Sequence, residues 1–262
     1  MDLTYWKKQT AAAPLYPNIE WNKPERRDVA GRLLIVGGNK LGFVAVAESY
    51  QTAKSAGAGQ VKVVLPDCLK SSVPKTLEDV VFASCNNSGG LNQEAKRDLL
   101  ASAAWSDEVL LIGDAGRNSE TAILYEQFIK EYTGKLTVTR DAIDLVKNDA
   151  QLLVTRPDTL LIMSFAQVQK LFQNVYYPKV LTFSMQLLQL VEALHKFTLT
   201  YPVTIVTLHA DTLIVASGGT INTQAWENPM AIWRGTVGTN AASYWLWNPT
   251  HPLEATMASL LS

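Results

Sequence analysis

GRLLIVGGNKLGFVAVAESYQTAKSAGAGQVKVVLP, residues 31–66, carries the pattern that decides the fold. RLLIVGG, at 32–38, is a short apolar run that ends in glycines. Bounded runs of this kind suit a strand buried on both faces. Residues 43–57 are alanine-rich with helical spacing, and the pattern stops at Gly57 and Gly59. Glycine just past the last periodic residue is a helix stop signal. QVKVVLP, at 60–66, is the next strand. Strand, glycine loop, helix and strand in that order imply a right-handed parallel crossover.

The alternation continues outward. Strands are expected at DVVFAS (79–84), EVLLIG (108–113), KLTVT (135–139) and TLLIMS (159–164). Helices are expected at 91–104, 119–132 and 165–172, and a long amphipathic one over LTFSMQLLQLVEALHKF (181–197). TIVTL (204–208) and TLIVAS (212–217) are close enough to form a hairpin or meander, and residues 237–247 and 252–261 read as closing helices. Residues 1–30 are polar, proline-bearing and aperiodic, so they are read as an N-terminal arm on a domain spanning 31–262. This is the pattern of a single α/β/α sandwich with a mainly parallel central sheet. In such sheets ligands collect at the carboxyl ends of the strands. The glycine turns after 37, 113 and 235 are expected there.

Bulk properties exclude several classes. The chain has 262 residues, 47% of them apolar, which supports a sizeable core, and its net charge is −1. No Lys/Arg run forms a nucleic-acid footprint, so no nucleic-acid partner is expected. The stretch MDLTYWKKQTAAAPLYPN has no apolar run long enough for a signal peptide or a span, so a cytoplasmic protein with no membrane partner is expected. Cys68 and Cys85 lack metal-ligand spacing and read as reduced thiols, and no metal site is expected.

Several positions are candidate binding residues by their own chemistry. The backbone at Gly37, Gly38 and Asn39 follows a strand and precedes a helix, so its N–H groups can cradle an anion. Gly113 to Gly116 is a second turn of the same kind. It includes Asp114, whose carboxylate repels phosphate unless a cation bridges them. Asp141 sits at a strand end and can cap the following helix. His209 stands in the hairpin. Gly235, Thr236, Val237 and Gly238 open a helix, whose dipole and free N–H groups favour an anion. Trp226, Trp233, Trp245 and Trp247 crowd this end of the chain, and aromatics at that density pack a core or an interface.

These segments together resemble the nucleotide-dependent NAD(P)H-hydrate dehydratases of the ribokinase-like superfamily. The opening 31–66 is similar to that family's strand, glycine loop and helix, with Ala56-Gly57-Ala58-Gly59 unchanged. LLIGDAGRNSET (110–121) is similar to its Gly-Pro-Gly-Leu-Gly-Arg turn, with Gly113, Gly116 and Arg117 retained. VTRDAIDLV (138–146) is similar to its Asp-Ala-Asp-Ala-Leu segment, retaining Asp141 and Ala142. HADTLIVASGGTIN (209–222) is similar to its Lys-Gly-x-x-Thr-x-Ile hairpin, retaining Thr212 and Ile214. NPMA (228–231) and the RGTVG after it are similar to its Asn-Pro-Gly-Met-Ala and Gly-Thr-Gly-Asp motifs.

The resemblance implies a single ribokinase-like domain that repairs hydrated NADH or NADPH with ADP or ATP, a carbon–oxygen lyase reaction, with Mg2+ as a companion of the nucleotide. It implies a nucleotide site at His209, Thr212, Asn228, Gly235, Thr236, Gly238 and Thr239. It implies a hydrate site at Gly38, Asn39, Ala45, Gly113, Gly116, Asp141 and Ser164. The chain also departs from the family. The histidine and glutamate of Thr-Pro-His-x-Gly-Glu fall on Ser164 and Gln167, the hairpin lysine on Leu208, and the glycine before Ala45 on Val44. The aspartate that serves the family as catalytic base falls on Gly238, or on Thr239 with one residue inserted. General-base help is worth about 10²–10⁴ in rate, so no catalytic residue is assigned here. Trp233 and Arg234 stand where the family has small residues beside the nucleotide. Three functions compete: a dehydratase with altered catalytic groups, a non-catalytic relative that binds a nucleotide or a partner protein, and a ribokinase-like small-molecule kinase. Leu181, Met185, Leu188, Val191 and Leu199 form an apolar stripe, and a homo-oligomer is expected that uses this helix or the tryptophan-rich end.

Overall fold

The computed structural model describes residues 3–262, so Met1 and Asp2 of the N-terminal arm lie outside the described residues. The arm supplies β1 (Trp6–Gln9), a strand its polar sequence does not announce. The deciding stretch folds as β2 (Arg32–Gly37), α1 (Val44–Ala56) and β3 (Gln60–Pro66), with β2 and β3 parallel. β4 (Val80–Ala83), α2 (Lys96–Trp105), β5 (Glu108–Gly113), α3 (Ser119–Glu131) and β6 (Lys135–Thr139) continue the alternation. Two short helices, α4 (Asp141–Leu145) and α5 (Ala150–Thr155), precede β7 (Thr159–Met163) and α6 (Phe165–Asn174). The chain ends with α7 (Leu187–Thr200), β8 (Thr204–His209), β9 (Thr212–Ser217), β10 (Thr220–Ala225), α8 (Pro229–Arg234), α9 (Thr236–Trp247) and α10 (Pro252–Ser259).

All ten strands form one sheet in the order β1-β10-β9-β8-β7-β6-β5-β2-β3-β4. Only β9 runs against its neighbours; the meander β8-β9-β10 brings the last strand back parallel to the rest, and β1 adds in parallel to its edge. Each central strand is buried on both faces, and successive residues divide between two cores. Leu34, Val36, Leu111, Val138 and Met163 pack beneath α2 through α7. Leu33, Ile35, Leu110, Ile112 and Ile162 pack beneath α1, α9 and α10. The period-2 alternation of side chains thus builds three layers.

Two expectations are corrected. The helix expected over 181–197 begins only at Leu187, where Gln186 and Gln189 form a capping box. Residues 181–186 precede it, although Leu181 and Met185 are buried. The apolar stripe read there as a self-association surface is largely spent on the chain's own sheet: Val191 is buried with Leu190, Leu194 and Phe197, and only Leu199 of the stripe is exposed. The tryptophan-rich end also divides. Trp245 and Trp247 are buried, whereas Trp233 is 56% exposed.

Candidate functional site

At the carboxyl ends of the central strands the glycine turns converge. Gly37 pairs with Gly113 across β2 and β5, and a Cβ on Gly37 would lie 2.2 Å from the Gly113 carbonyl oxygen. Gly113 has φ +95°, and a Cβ there would lie 2.1 Å from Asp141 Oδ1. The two turns can approach only because neither residue has a side chain. The Gly38 amide donates to Gly113 O at 2.9 Å, and the Asn39 side-chain amide donates to Asp114 O.

A polar chain then spans this edge from the first loop to α9. The Ala45 amide, in the first turn of α1, donates to Asp114 Oδ2 at 2.8 Å. Arg140 donates from its guanidinium to Asp114 Oδ1 at 2.6 Å. The Arg140 stem continues to the α8–α9 turn, where a Cβ on Gly235 would lie 3.2 Å from Arg140 Cδ. Asp114 and Arg140 both hold positive φ, 54° and 57°. Asp141 does not cap a helix as expected. Its Oδ1 accepts the Asp114 amide at 2.9 Å, and burial pushes its carboxyl above the ordinary aspartate value. Gln167, at the glutamate position of the motif, donates to Arg140 O at 2.8 Å and to Asp144 at 3.0 Å.

Beside this chain lies a cleft of about 420 Å³ walled by Phe165, Phe183, His209, Ile232 and Trp233, with Ser164 and Leu208 among the residues that complete it. Its rings form a ladder: Phe165 lies 5.1 Å from Phe183 and 5.3 Å from His209, both tilted. His209 Nε2 lies 3.0 Å from Met185 O. A carbonyl only accepts, so Nε2 is the donor and carries a proton. No carboxylate lines the cleft.

The structure sorts the expected residues into distinct places. His209 and Ser164 line the aromatic cleft. Ser164 also caps α6 in a capping box with Gln167. Thr212 pairs with His209 across the hairpin, and its hydroxyl donates to Asp211. Asn228 precedes α8, and its carbonyl accepts from Trp226 Nε1. Gly235 ends α8 and starts α9, which no side chain caps, and Thr236 is half-buried in a separate depression with Ala47, Gln51 and Arg234. Gly238 is buried, with Thr139 Cγ2 3.3 Å from where its Cβ would be. Thr239 is fully buried, and its hydroxyl donates to Ser49 or to Gly235 O, so it presents nothing to a ligand. Gly38, Asn39, Gly113, Gly116 and Asp141 gather around Asp114; the Asn39 side chain is the nearest group to a Cβ on Gly116. Ala45 is buried and its amide is taken by Asp114, while Val44, at the family's glycine position, is 65% exposed. The sequence reading passed over Arg140, Phe165 and Phe183. The rings sit in different segments, and only tertiary structure brings them together. Among the described residues no group of three or more His, Cys, Asp or Glu side chains could hold a metal ion. Among the described residues no helix is long and apolar enough to cross a membrane.

The fold matches those of solved structures described as ribokinase-like. A ribokinase-like protein from Enterococcus faecalis superposes with a TM-score of 0.75 at 14% identity, covering 100% of this chain and 88% of that one. A hypothetical protein from Streptococcus mutans does so with 0.71 at 17% identity, covering 93% and 85%. The ADP/ATP-dependent NAD(P)H-hydrate dehydratase of Bacillus subtilis, co-crystallised with ATP and Mg2+, follows with 0.61 at 10% identity, covering 90% and 79%. No family model matches the sequence, and no curated protein matches it.

Proposed function

We propose that this chain binds an adenine nucleotide in the aromatic cleft and does not dehydrate NAD(P)H hydrates, making it a non-catalytic relative of the dehydratases it resembles. The carrying observation is the composition of the cleft: a ladder of Phe183, Phe165 and His209, with Trp233 also in the wall and no carboxylate among the lining residues. Flat aromatic walls suit a purine face, and a volume of about 420 Å³ is in the range of small-ligand sites. The family's catalytic aspartate falls on Gly238, buried against Thr139, or with one residue inserted on Thr239, fully buried beside Ser49; neither is a carboxylate. Ser164 and Gln167, at the histidine and glutamate positions, are committed to capping α6. A divalent cation, in this reading, arrives on the nucleotide's phosphates. The protein acts in the cytoplasm, and any self-association uses surfaces other than α7.

Melting temperature with ADP or ATP and Mg2+, together with recovery of NADH absorbance from its hydrate, tests both halves. Nucleotide at about 100 times its Kd stabilises by about 2.7 kcal/mol, on the order of 5–10 °C for a domain of this size. Phe183→Ala and Trp233→Ala, both on exposed rings, should shrink that shift. No shift at millimolar nucleotide would overturn the binding half. Nucleotide-dependent recovery of NADH, in the parent or after Gly238→Asp, would overturn the non-catalytic half.

A further inference from the structure

We infer that the Asp114 carboxylate stands in for an anionic ligand: the Ala45 amide and the Arg140 guanidinium form an oxyanion site between the first glycine loop and the α8–α9 turn, which this chain fills with its own side chain. Both carboxylate oxygens are engaged there, Oδ2 by Ala45 N–H at 2.8 Å and Oδ1 by Arg140 at 2.6 Å. The donors come from separate elements, α1 and the β6–α4 junction, and they converge on one carboxylate as they would on two oxygens of a phosphate. Arg140 is mostly covered, with 20% of its side chain exposed, and its Nε is buried without a hydrogen-bond partner. The guanidinium therefore has donor capacity that Asp114 does not use. The other nearby carboxylate, Asp141, is occupied by the Asp114 amide.

The carboxylate is not what holds the turn. The Asp114 amide donates to Asp141, and its carbonyl accepts from Asn39. Both bonds survive removal of the side chain, and glycine is at ease at φ 54°. In the parent, the Asp114 carboxylate occupies both donors, so a ligand in the aromatic cleft must place its phosphates elsewhere. The inference does not depend on that cleft binding a nucleotide.

The experiment is calorimetric titration of inorganic pyrophosphate, and separately of ADP, into the parent, Asp114→Gly and Asp114→Gly/Arg140→Gly. Arg140 also has positive φ, so glycine is tolerated there. Pyrophosphate should bind Asp114→Gly at least about tenfold more tightly than the parent, the scale of one charge-assisted hydrogen bond. The second substitution should abolish that gain. A gain seen with ADP as well as pyrophosphate assigns the site to nucleotide phosphates, and a gain with pyrophosphate alone to a free oxyanion; either supports the inference. Equal pyrophosphate binding by the parent and Asp114→Gly, or a gain that persists without Arg140, overturns it. Binding of ADP by the parent bears on the aromatic cleft alone.

Discussion

Glu108 shows how one residue can govern the response of the whole fold to pH. It lies fully buried at the start of β5, where Oε1 accepts from Thr137 at 2.7 Å and Oε2 has no partner. Burial pushes its carboxyl from 4.5 up to about 8, with Lys135 opposing only in part. The folded protein therefore holds this proton where the unfolded chain has released it. Stability falls as pH rises from about 4.5 to 8, by at most about 1.4 kcal/mol per pH unit from this group. Glu108→Gln keeps the acceptor for Thr137 and removes the titration. Thermal melts of the two proteins should nearly coincide at pH 5, and the variant should melt higher at pH 8. A parallel pH dependence in both would show that Glu108 does not set it.

Among the elements, α6 joins the site to the core. Ser164 and Gln167 cap its first turn reciprocally, and Gln167 reaches on to Arg140 O and Asp144. Its buried face, Phe165, Val168, Leu171 and Phe172, belongs to the core beneath α2 through α7. A lost cap costs about 1 kcal/mol, so Ser164→Ala should lower the unfolding free energy by that amount, seen as a lower denaturation midpoint with an unchanged m-value. Ser164→Asp, which also caps, should recover most of it. If alanine is neutral, the box adds nothing to stability. The capping role of Ser164 and Gln167 was partly legible: Ser-x-x-Gln before an apolar run is itself a capping signature. What the sequence hid was the second partner of Gln167, Asp144, which lies 23 residues away.

At the scale of the molecule, the arm is part of the sheet. β1 pairs with β10, Gln9 donates to Met257 O at 2.8 Å, and Tyr244 donates to Glu20 at 2.6 Å. Deleting residues 3–9 would uncover the β10 edge and break the bond to α10. Lower melting temperature and concentration-dependent light scattering are expected, since an open edge invites pairing with another chain. A deletion that melts and scatters like the parent would make the arm a separable appendage.

The sequence by itself determined the central strands and most of the helices beside them. An apolar run such as EVLLIG or KLTVT between polar segments has no stable place except the middle of a sheet, and glycine after such a run permits only a tight turn. The pattern was silent on β1, β10 and α8, because the edge strand β1, the mostly polar strand β10 and a one-and-a-half-turn helix carry too few buried apolar residues to mark a period. Only the tertiary structure decided the site. It placed Phe183, in a segment the sequence pattern reads as helix, outside any helix and against Phe165. It buried Thr239 beside Ser49, 190 residues away in sequence. It joined Asp114 to Arg140 and Ala45 across three elements. Local propensity acts over a few residues, whereas these contacts exist only once the parallel crossovers have brought the carboxyl ends of the strands to one edge.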